Sequence, residues 1–241
     1  MKNANNNFIY CPPIFDERKC AHRFAYKLAE NFISAGLNLD RHDYTGTAEA
    51  VGEFEDITIT SIKNDIEKFI SNEPATIIAL RAGASFALEY SLIRPEQINA
   101  LILIEPVILG SEYLDHLIRK QHLKDLMTKT SPTNDKGFLN IEGYKTSKIF
   151  IDQLKNIDLL ESAQKLSPKI PVMIIKIKNS SNINPHISRF ARTLAGKQEN
   201  ISIEKFNMPC FWERIPIYDY SKLTKTIVDF CLNNHRPFQK L

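Results

Sequence analysis

The chain has 241 residues, of which 43% are hydrophobic and 24% charged, and its 31 basic and 28 acidic residues give a net charge of +3. This balance is typical of a globular protein and excludes disordered, collagen-like and fibrous chains. No apolar run approaches the roughly 20 residues that a membrane-spanning helix needs, so no membrane span is predicted. The charge forms no long basic tract, so a nucleic-acid partner is not indicated. Residues 1–7 are polar and lack the apolar core of a secretory signal, so we expect a cytoplasmic protein.

Apolar runs of strand length alternate with segments of helical periodicity along most of the chain. The predicted strands are residues 8–11, 37–42, 75–80, 100–104, 171–175 and 201–206. The predicted helices are residues 21–36, 59–70, 83–92, 111–127, 149–160, 187–194 and 222–233. Strands and helices that alternate in this way form a parallel sheet with helices on both faces, so the predicted fold class is α/β.

The alternation is interrupted in the middle of the chain, where residues 111–127 form a charged amphipathic helix and residues 128–136 are polar. We therefore predict a core in two parts, 1–106 and 169–241, with a helical insertion at 107–168. An insertion that follows the carboxyl end of a strand typically forms a lid over a site.

The sequence contains no recognisable motif for a metal or a nucleotide. The four cysteines form no C-x-x-C pair and are interpreted as free thiols. The eight glycines include neither G-x-x-x-x-G-K nor G-x-G-x-x-G. His22 and His42 are isolated and are interpreted as structural, as is Asp43, which we expect to hold a turn. No cofactor and no metal are predicted.

The most specific pattern lies in residues 79–106. A strand ends in Ala79-Leu80-Arg81-Ala82-Gly83, a helix follows, Arg94-Pro95-Glu96 forms a turn, and the next strand ends at Pro106. This order resembles the α/β-hydrolase fold, in which a sharp strand-to-helix turn carries the nucleophile. The resemblance implies that Arg81 stands at the nucleophile position. The usual G-x-S-x-G motif is absent, because no two of the eight glycines are four residues apart.

Two other residues remain candidates for the nucleophile. A second register, Gly83-Ala84-Ser85-Phe86-Ala87, would use Ser85 but requires a strand two residues longer; in the first register Ser85 lies one turn into the helix. Cys210 is conceivable, although a buried free thiol is the simpler interpretation. The resemblance also implies an acid in residues 176–182 and a histidine near residues 208–212, and neither is present. A Ser-His-Asp mechanism is therefore not expected.

More narrowly, the chain resembles the exosortase A system-associated hydrolases of type 2, found beside bacterial protein-sorting and exopolysaccharide genes. The matching segments are Pro12-Pro13 with Asp16-Glu17 and Arg23, Asp43 with Gly46, residues 80–84, Glu105-Pro106-Val107 with Gly110, Glu142-Gly143-Tyr144, and Phe211-Trp212. The resemblance implies that arginine at the nucleophile position is a shared feature. The chain departs from that group at Ala79, Glu105 and Cys210.

An arginine at this turn predicts an anion-binding pocket. The amino end of a helix favours an anion, and a guanidinium binds carboxylate or phosphate with two parallel hydrogen bonds. The predicted catalytic residues are Arg81, which would hold or polarise the substrate, and Glu17, a candidate acid/base. The predicted ligand-binding residues are Arg81, Glu105, Phe211, Trp212 and Pro13.

Three functions remain open at this stage. The protein could be an enzyme that acts on an acyl or ester group without the triad, or a binding protein for a small anionic or acyl ligand. It could also be an inactive scaffold or partner protein in an exopolysaccharide, protein-sorting or other biosynthetic system, with Arg81 merely paired to Glu17 or Glu105. Joint exposure of Leu114, Leu117, Ile118 and Leu123 would favour the scaffold.

Overall fold

The computed structural model describes residues 7–70, 73–129, 137–177, 185–215 and 217–234. The strands are β1 (Phe8–Cys11), β2 (Asp40–Arg41), β3 (Ala75–Leu80), β4 (Ile98–Ile104), β5 (Phe138–Ile141), β6 (Tyr144–Ser147), β7 (Val172–Ile177) and β8 (Ile201–Phe206). The α-helices are α1 (Phe15–Ser34), α2 (Ile59–Ile70), α3 (Ala82–Ser91), α4 (Gly110–Thr128), α5 (Lys148–Lys155), α6 (Leu159–Lys165), α7 (Pro185–Ala195) and α8 (Ser221–Asn234).

Six strands form one sheet in the order β2-β1-β3-β4-β7-β8, and every neighbouring pair is parallel. In the register of the first three strands, Ile9 lies opposite Asp40 on one side and Ile77 on the other. The remaining two strands, β5 and β6, form a separate antiparallel hairpin. The predicted α/β class, with a parallel sheet, is confirmed.

Hydrophobic clusters cover both faces of the sheet, which explains why the central strands are continuously apolar. On β3, Ile77 and Ala79 belong to the cluster that includes α2 and α3. The alternate residues, Ile78 and Leu80, belong to the cluster that includes α1 and α8. All four side chains are fully buried. Because the strands are parallel, their carboxyl ends lie at one edge of the sheet, where the loops to the following segments begin.

Several bounds differ from the prediction by one or two residues, and three elements differ by more. Helix α1 begins at Phe15, six residues before the predicted start, because Asp16 and Glu17 suit the positive end of the helix dipole although no side chain caps it. Strand β2 has only two residues. The helix predicted at 149–160 is divided in two, because the Asp158 side chain accepts hydrogen bonds from the first amides of α6.

The segment between β4 and β7 contains α4, the β5–β6 hairpin, α5 and α6; the hairpin was not predicted. Leu114 and Leu117 of α4 are buried, whereas Ile118 is 40% and Leu123 61% exposed, so the four expected residues do not form one exposed face. Most of the predicted polar stretch, residues 130–136, lies outside the described residues. Within the described ranges, none of the helices is long and apolar enough to cross a membrane.

Candidate functional site

Arg81 is the single residue between β3 and α3, and its backbone turns sharply there. Its φ of 54° and ψ of −123° are rare for a residue with a side chain, and its N–H donates to the Ile104 carbonyl oxygen at 2.9 Å. Two residues later, a Cβ at Gly83 would lie 2.3 Å from the Pro12 carbonyl oxygen. Glycine therefore allows α3 to pack directly against the end of β1.

The Arg81 guanidinium is held on two sides by the protein. Its Nε donates to Glu17 Oε1 at 3.1 Å, and its Nη1 donates to the backbone carbonyl oxygen of Glu105 at 3.2 Å. The side chains of Arg81 and Glu17 are 17% and 11% exposed. No hydrogen bond to Nη2 is formed within the part of the chain that the structure describes. One donor edge of the guanidinium is thus unused.

Two aromatic residues complete the surroundings of this ion pair. The Tyr113 hydroxyl donates to Glu17 Oε2 at 3.1 Å, so both oxygens of that carboxylate have donors. The Arg81 guanidinium carbon lies 5.6 Å from the centroid of the Tyr113 ring and 5.2 Å from that of Trp212. These are cation–π distances, and they fix the plane of the guanidinium. Tyr113 was missed by the sequence analysis, where its only signal was its place on the buried face of α4.

The charges of this cluster are governed by burial. Burial raises the pKa of Glu17, and the Arg81 charge opposes that shift. For Arg81, burial alone would lower the pKa, but Glu17, Tyr113 and Glu105 raise it above its ordinary value. Burial also raises the pKa of Tyr113 well above its ordinary value, so its hydroxyl remains a donor. Arg81 is consequently a permanent cation.

The Glu105 carboxylate does not pair with Arg81, which was one of the two pairings that the sequence left open. Glu105 Oε1 accepts a hydrogen bond from the Ile177 amide at 2.6 Å, at the end of β7, and only the backbone carbonyl of Glu105 contacts the guanidinium. Burial raises the pKa of this carboxyl, while the Ile177 amide and the Arg81 charge oppose the shift. Glu17 is therefore the carboxylate that neutralises Arg81.

A cavity of about 170 Å³ opens beside Arg81. Residues 106–109 and Tyr113 give it apolar surface, and Arg81, Glu112 and His116 provide polar groups. Glu112 is already paired, since its Oε1 lies 3.0 Å from His186 Nε2 on α7. The volume is below the roughly 300–1,000 Å³ of sites for drug-sized ligands, so only a small molecule fits.

The other predicted binding residues are dispersed. Phe211 is fully buried in the core, where its ring centroid lies 4.7 Å from that of Phe24, so the expected aromatic wall is reduced to Trp212. Pro13 lines a second cavity, on the side of β1 and β2. The structure thus brings together Arg81, Glu17 and Trp212, together with the main chain of Glu105.

The two alternative nucleophiles are poorly placed for catalysis. Ser85 lies within α3, fully buried, and its hydroxyl donates to the Val107 carbonyl oxygen at 2.7 Å. Burial, together with the nearby charge of Glu213, raises the pKa of the Cys210 thiol to about 11, which disfavours the reactive thiolate. Of the segment expected to carry the acid, residues 178–182 lie outside the described residues. Across the described ranges there is no group of three metal-ligating side chains.

No protein-family model matches the sequence, and no curated protein matches it either. Solved structures do match. Est1E from Butyrivibrio proteoclasticus, solved with ferulic acid bound, has a TM-score of 0.66 and 14% identity, over 96% of this chain and 91% of that one. The enol-lactonase from Burkholderia xenovorans LB400 has a TM-score of 0.65 and 14% identity, over 96% of this chain and 94% of that one.

A third match is the Paleococcus ferrophilus monoacylglycerol lipase, with a TM-score of 0.65 and 14% identity, over 96% of this chain and 97% of that one. At such low identity the similarity concerns the fold alone. The chain has the α/β-hydrolase fold, which was the fold that its sequence resembled.

Proposed function

We propose that this protein binds a small anionic or acyl ligand through Arg81, at the position of the hydrolase nucleophile, and that it works without a Ser-His-Asp triad. The observation that carries the proposal is the guanidinium itself. It is fixed by Glu17 and two aromatic rings, yet its Nη2 has no hydrogen bond within the described residues and the side chain lines a 170 Å³ cavity. A carboxylate is the natural partner of such a preorganised donor.

The assignment of Arg81 to the nucleophile position is supported by its backbone. A residue with a side chain at φ 54° and ψ −123° is strained, and such strain concentrates at functional sites. Its place between a buried strand and a helix is that of the nucleophile in the α/β-hydrolase elbow. The close approach that Gly83 permits to Pro12 supports the same assignment.

We assign Glu17 a positioning role in place of the acid/base role expected from the sequence. Both of its carboxylate oxygens already accept hydrogen bonds, from Arg81 and from Tyr113. A general acid or base needs a proton or lone pair directed at the substrate. Glu17 does not line the cavity beside Arg81, so none of its remaining lone pairs is directed at a ligand there, whereas holding Arg81 requires no change.

We also propose that residues 107–168 act as a lid on a single core formed by residues 1–106 and 169–241. The support is the contact of Tyr113, in the first turn of α4, with Glu17 and Arg81. At the hairpin turn, Glu142 Oε2 accepts a hydrogen bond from the Asp16 amide at 3.2 Å. The inserted segment thus touches the carboxyl edge of the sheet at two points, which is where ligands of α/β sheets bind.

The test combines activity and binding on the purified full-length chain. Fluorophosphonate labelling and p-nitrophenyl ester hydrolysis are measured for wild type, Arg81→Ala and Ser85→Ala. Small organic acids and acyl phosphates are then titrated while the fluorescence of Trp212, the only tryptophan, is followed. We expect no labelling and a fluorescence change that Arg81→Ala abolishes and Ser85→Ala retains. Labelling that Ser85→Ala abolishes would refute the proposal and restore a serine hydrolase.

A second candidate function is the inactive scaffold or partner protein of an exopolysaccharide or protein-sorting system. The observation in its favour is the end of α4, where Leu123, Leu126 and Met127 are 61%, 63% and 86% exposed. Adjacent exposed apolar side chains of this kind mark interaction surfaces. Variants distinguish the two candidate functions. A partner protein that is lost from the double variant Leu126→Lys, Met127→Lys but still binds Arg81→Ala would favour the scaffold.

A further inference from the structure

A second cavity, of about 180 Å³, lies at the carboxyl ends of β1 and β2, where the first half of α1 covers them. It shares no lining residue with the cavity beside Arg81. Its polar lining comes from three parts of the chain: Tyr10 on β1, Arg18 and His22 on α1, and residues 41–43 with Glu49 after β2. The proposed function makes no use of this cavity.

Tyr10 is the most informative residue of this lining. It is only 4% exposed, and its hydroxyl, although buried, has no hydrogen-bond partner within the described residues. Its ring packs edge-on against Phe24 at a centroid distance of 6.3 Å, a contact that phenylalanine would make equally well. A buried hydroxyl without a partner is unfavourable, and such groups in native proteins require an explanation. A ligand in the cavity would supply the missing acceptor.

Two arginines in the same lining have unused donors. Arg18 Nε, at 3.0 Å, and Arg18 Nη2 both donate to Asp43 Oδ1, and no described residue hydrogen-bonds to Arg18 Nη1. Arg41 has no carboxylate within ion-pair distance among the described residues, and its guanidinium carbon lies 6.0 Å from the centroid of the Tyr26 ring. Burial raises the pKa of Tyr10 while Arg18 and Arg41 oppose the shift, so both charges act on a hydroxyl that stays protonated.

The remaining groups of the lining make the cavity mixed in charge. Glu49 and Asp43 are acidic, and Asp43 Oδ2 accepts no hydrogen bond from the described residues. Burial lowers the pKa of His42, which is therefore uncharged near neutral pH. Its ring stacks on that of Phe69, with the two ring centroids 3.9 Å apart. His22 lies on the exposed face of α1. Donors for an anion and acceptors for hydroxyl groups thus face the same small space.

We propose that this cavity binds a small hydroxylated anion, namely a carboxylate or phosphate ester that carries neighbouring hydroxyl groups. The anionic group would accept hydrogen bonds from the Tyr10 hydroxyl, Arg18 Nη1 and the Arg41 guanidinium. The ligand hydroxyls would donate to Asp43 and Glu49. The volume limits the ligand to a small molecule, well below drug size.

Calorimetric titration of the full chain with glycerol 3-phosphate tests the proposal. Glycerate, inorganic phosphate and glycerol are matched probes: the first replaces phosphate by carboxylate, the second lacks the hydroxyl groups and the third lacks the charge. Tyr10→Phe and Arg41→Gln are the test variants. Arg94→Gln is the control, because Arg94 pairs with Glu67 on the surface. Arg81→Ala shows which of the two cavities holds the ligand, because Arg81 lines the other one.

We expect glycerol 3-phosphate or glycerate to bind more tightly than inorganic phosphate, and glycerol not to bind. Arg41→Gln should weaken binding at least about tenfold, as the loss of a charge-assisted hydrogen bond predicts. Tyr10→Phe should weaken binding without lowering Tm, because the hydroxyl it removes has no partner in the free protein. Arg94→Gln should bind like wild type, and Arg81→Ala should keep the binding that Tyr10→Phe and Arg41→Gln weaken.

Three results would overturn the proposal: no binding of either hydroxylated anion at millimolar concentration, equal binding by wild type and the two test variants, or loss of binding in Arg81→Ala. The last would place the ligand in the cavity beside Arg81 and would count for the function proposed above. If neither the fluorescence titration of small organic acids and acyl phosphates nor this calorimetric titration shows binding, the first result counts against the site at Arg81 and the second against the cavity at Tyr10.

Discussion

Replacing Arg81 by methionine should destabilise the protein in a way that depends on pH. The substitution removes the cation that faces Glu17 and leaves a nearly buried carboxylate with Tyr113 as its remaining donor. Removing one partner of a buried ion pair costs about 3–5 kcal/mol. Because the two side chains keep 17% and 11% exposure, we expect the lower end of that range, about 3 kcal/mol at pH 8.

The sign of the pH dependence follows from burial. Burial already raises the pKa of Glu17, and without Arg81 the shift is larger. An acid whose pKa is raised on folding holds its proton more tightly in the folded state, so stability falls as pH rises between the unfolded and folded pKa values. Arg81→Met should therefore lower the free energy of unfolding less at pH 5 than at pH 8. The difference is about 1.4 kcal/mol for each unit by which the Glu17 pKa rises in the variant within that interval.

The assay is urea unfolding at both pH values, with the Glu17 carboxyl followed by ¹³C NMR. Combining Arg81→Met with Glu17→Leu should recover most of the loss, because replacing both partners by apolar groups avoids the buried charge. Arg94→Met, which breaks an exposed pair with Glu67 at 3.4 Å, should cost less than about 1 kcal/mol at either pH. Equal stability of wild type and Arg81→Met, or an equal loss at both pH values, would refute the reasoning.

Further predictions concern packing and reactivity at the same edge. Gly83→Ala places a Cβ 2.3 Å from the Pro12 carbonyl oxygen and should lower the free energy of unfolding by about 3 kcal/mol or more. At Gly196 the nearest atom to such a Cβ is 3.6 Å away, so Gly196→Ala should change the free energy of unfolding by less than about 0.5 kcal/mol. Similar Tm values for the two variants would contradict this prediction. Ser85→Ala should cost about 1 kcal/mol in urea unfolding through its lost buried hydrogen bond and leave ligand binding intact. Cys210, with a pKa of about 11, should react with iodoacetamide at pH 8 more slowly than an exposed thiol of ordinary pKa. Mass spectrometry measures the rate, and rapid labelling would show that Cys210 is a thiolate.

Local sequence patterns determined the fold with few exceptions. The helix Ile59–Ile70 and the strands Ala75–Leu80 and Ile201–Phe206 were predicted with the bounds that the structure has, because strong periodicity reflects which face of an element is buried. The antiparallel hairpin and the early start of α1 were missed. Neither has a strong periodic signal: Asp16 and Glu17 favour the first turn of α1 without a side-chain cap, and the hairpin depends on contacts with the rest of the chain.

The site was predictable only in outline. The sequence indicates where the sharp turn lies, because an apolar strand is followed by Gly83 and a helix. The carboxyl end of a buried strand must open into a loop. The sequence named Glu17 and Glu105 as alternative partners of Arg81 but could not decide between them. Glu17, 64 residues away, provides the carboxylate, and Glu105, directly after the next strand, provides only its backbone carbonyl.

By itself, then, the sequence determined the α/β-hydrolase order of elements and the position of an arginine at the turn after the third strand of the sheet. Only the tertiary structure decided that Tyr113 donates to Glu17 across 96 residues, that Phe211 belongs to the core, and that the Tyr10 hydroxyl is buried without a partner in the described chain. The physical reason is that periodicity records which face of an element is apolar, whereas pairing depends on how elements pack and on the direction of each side chain.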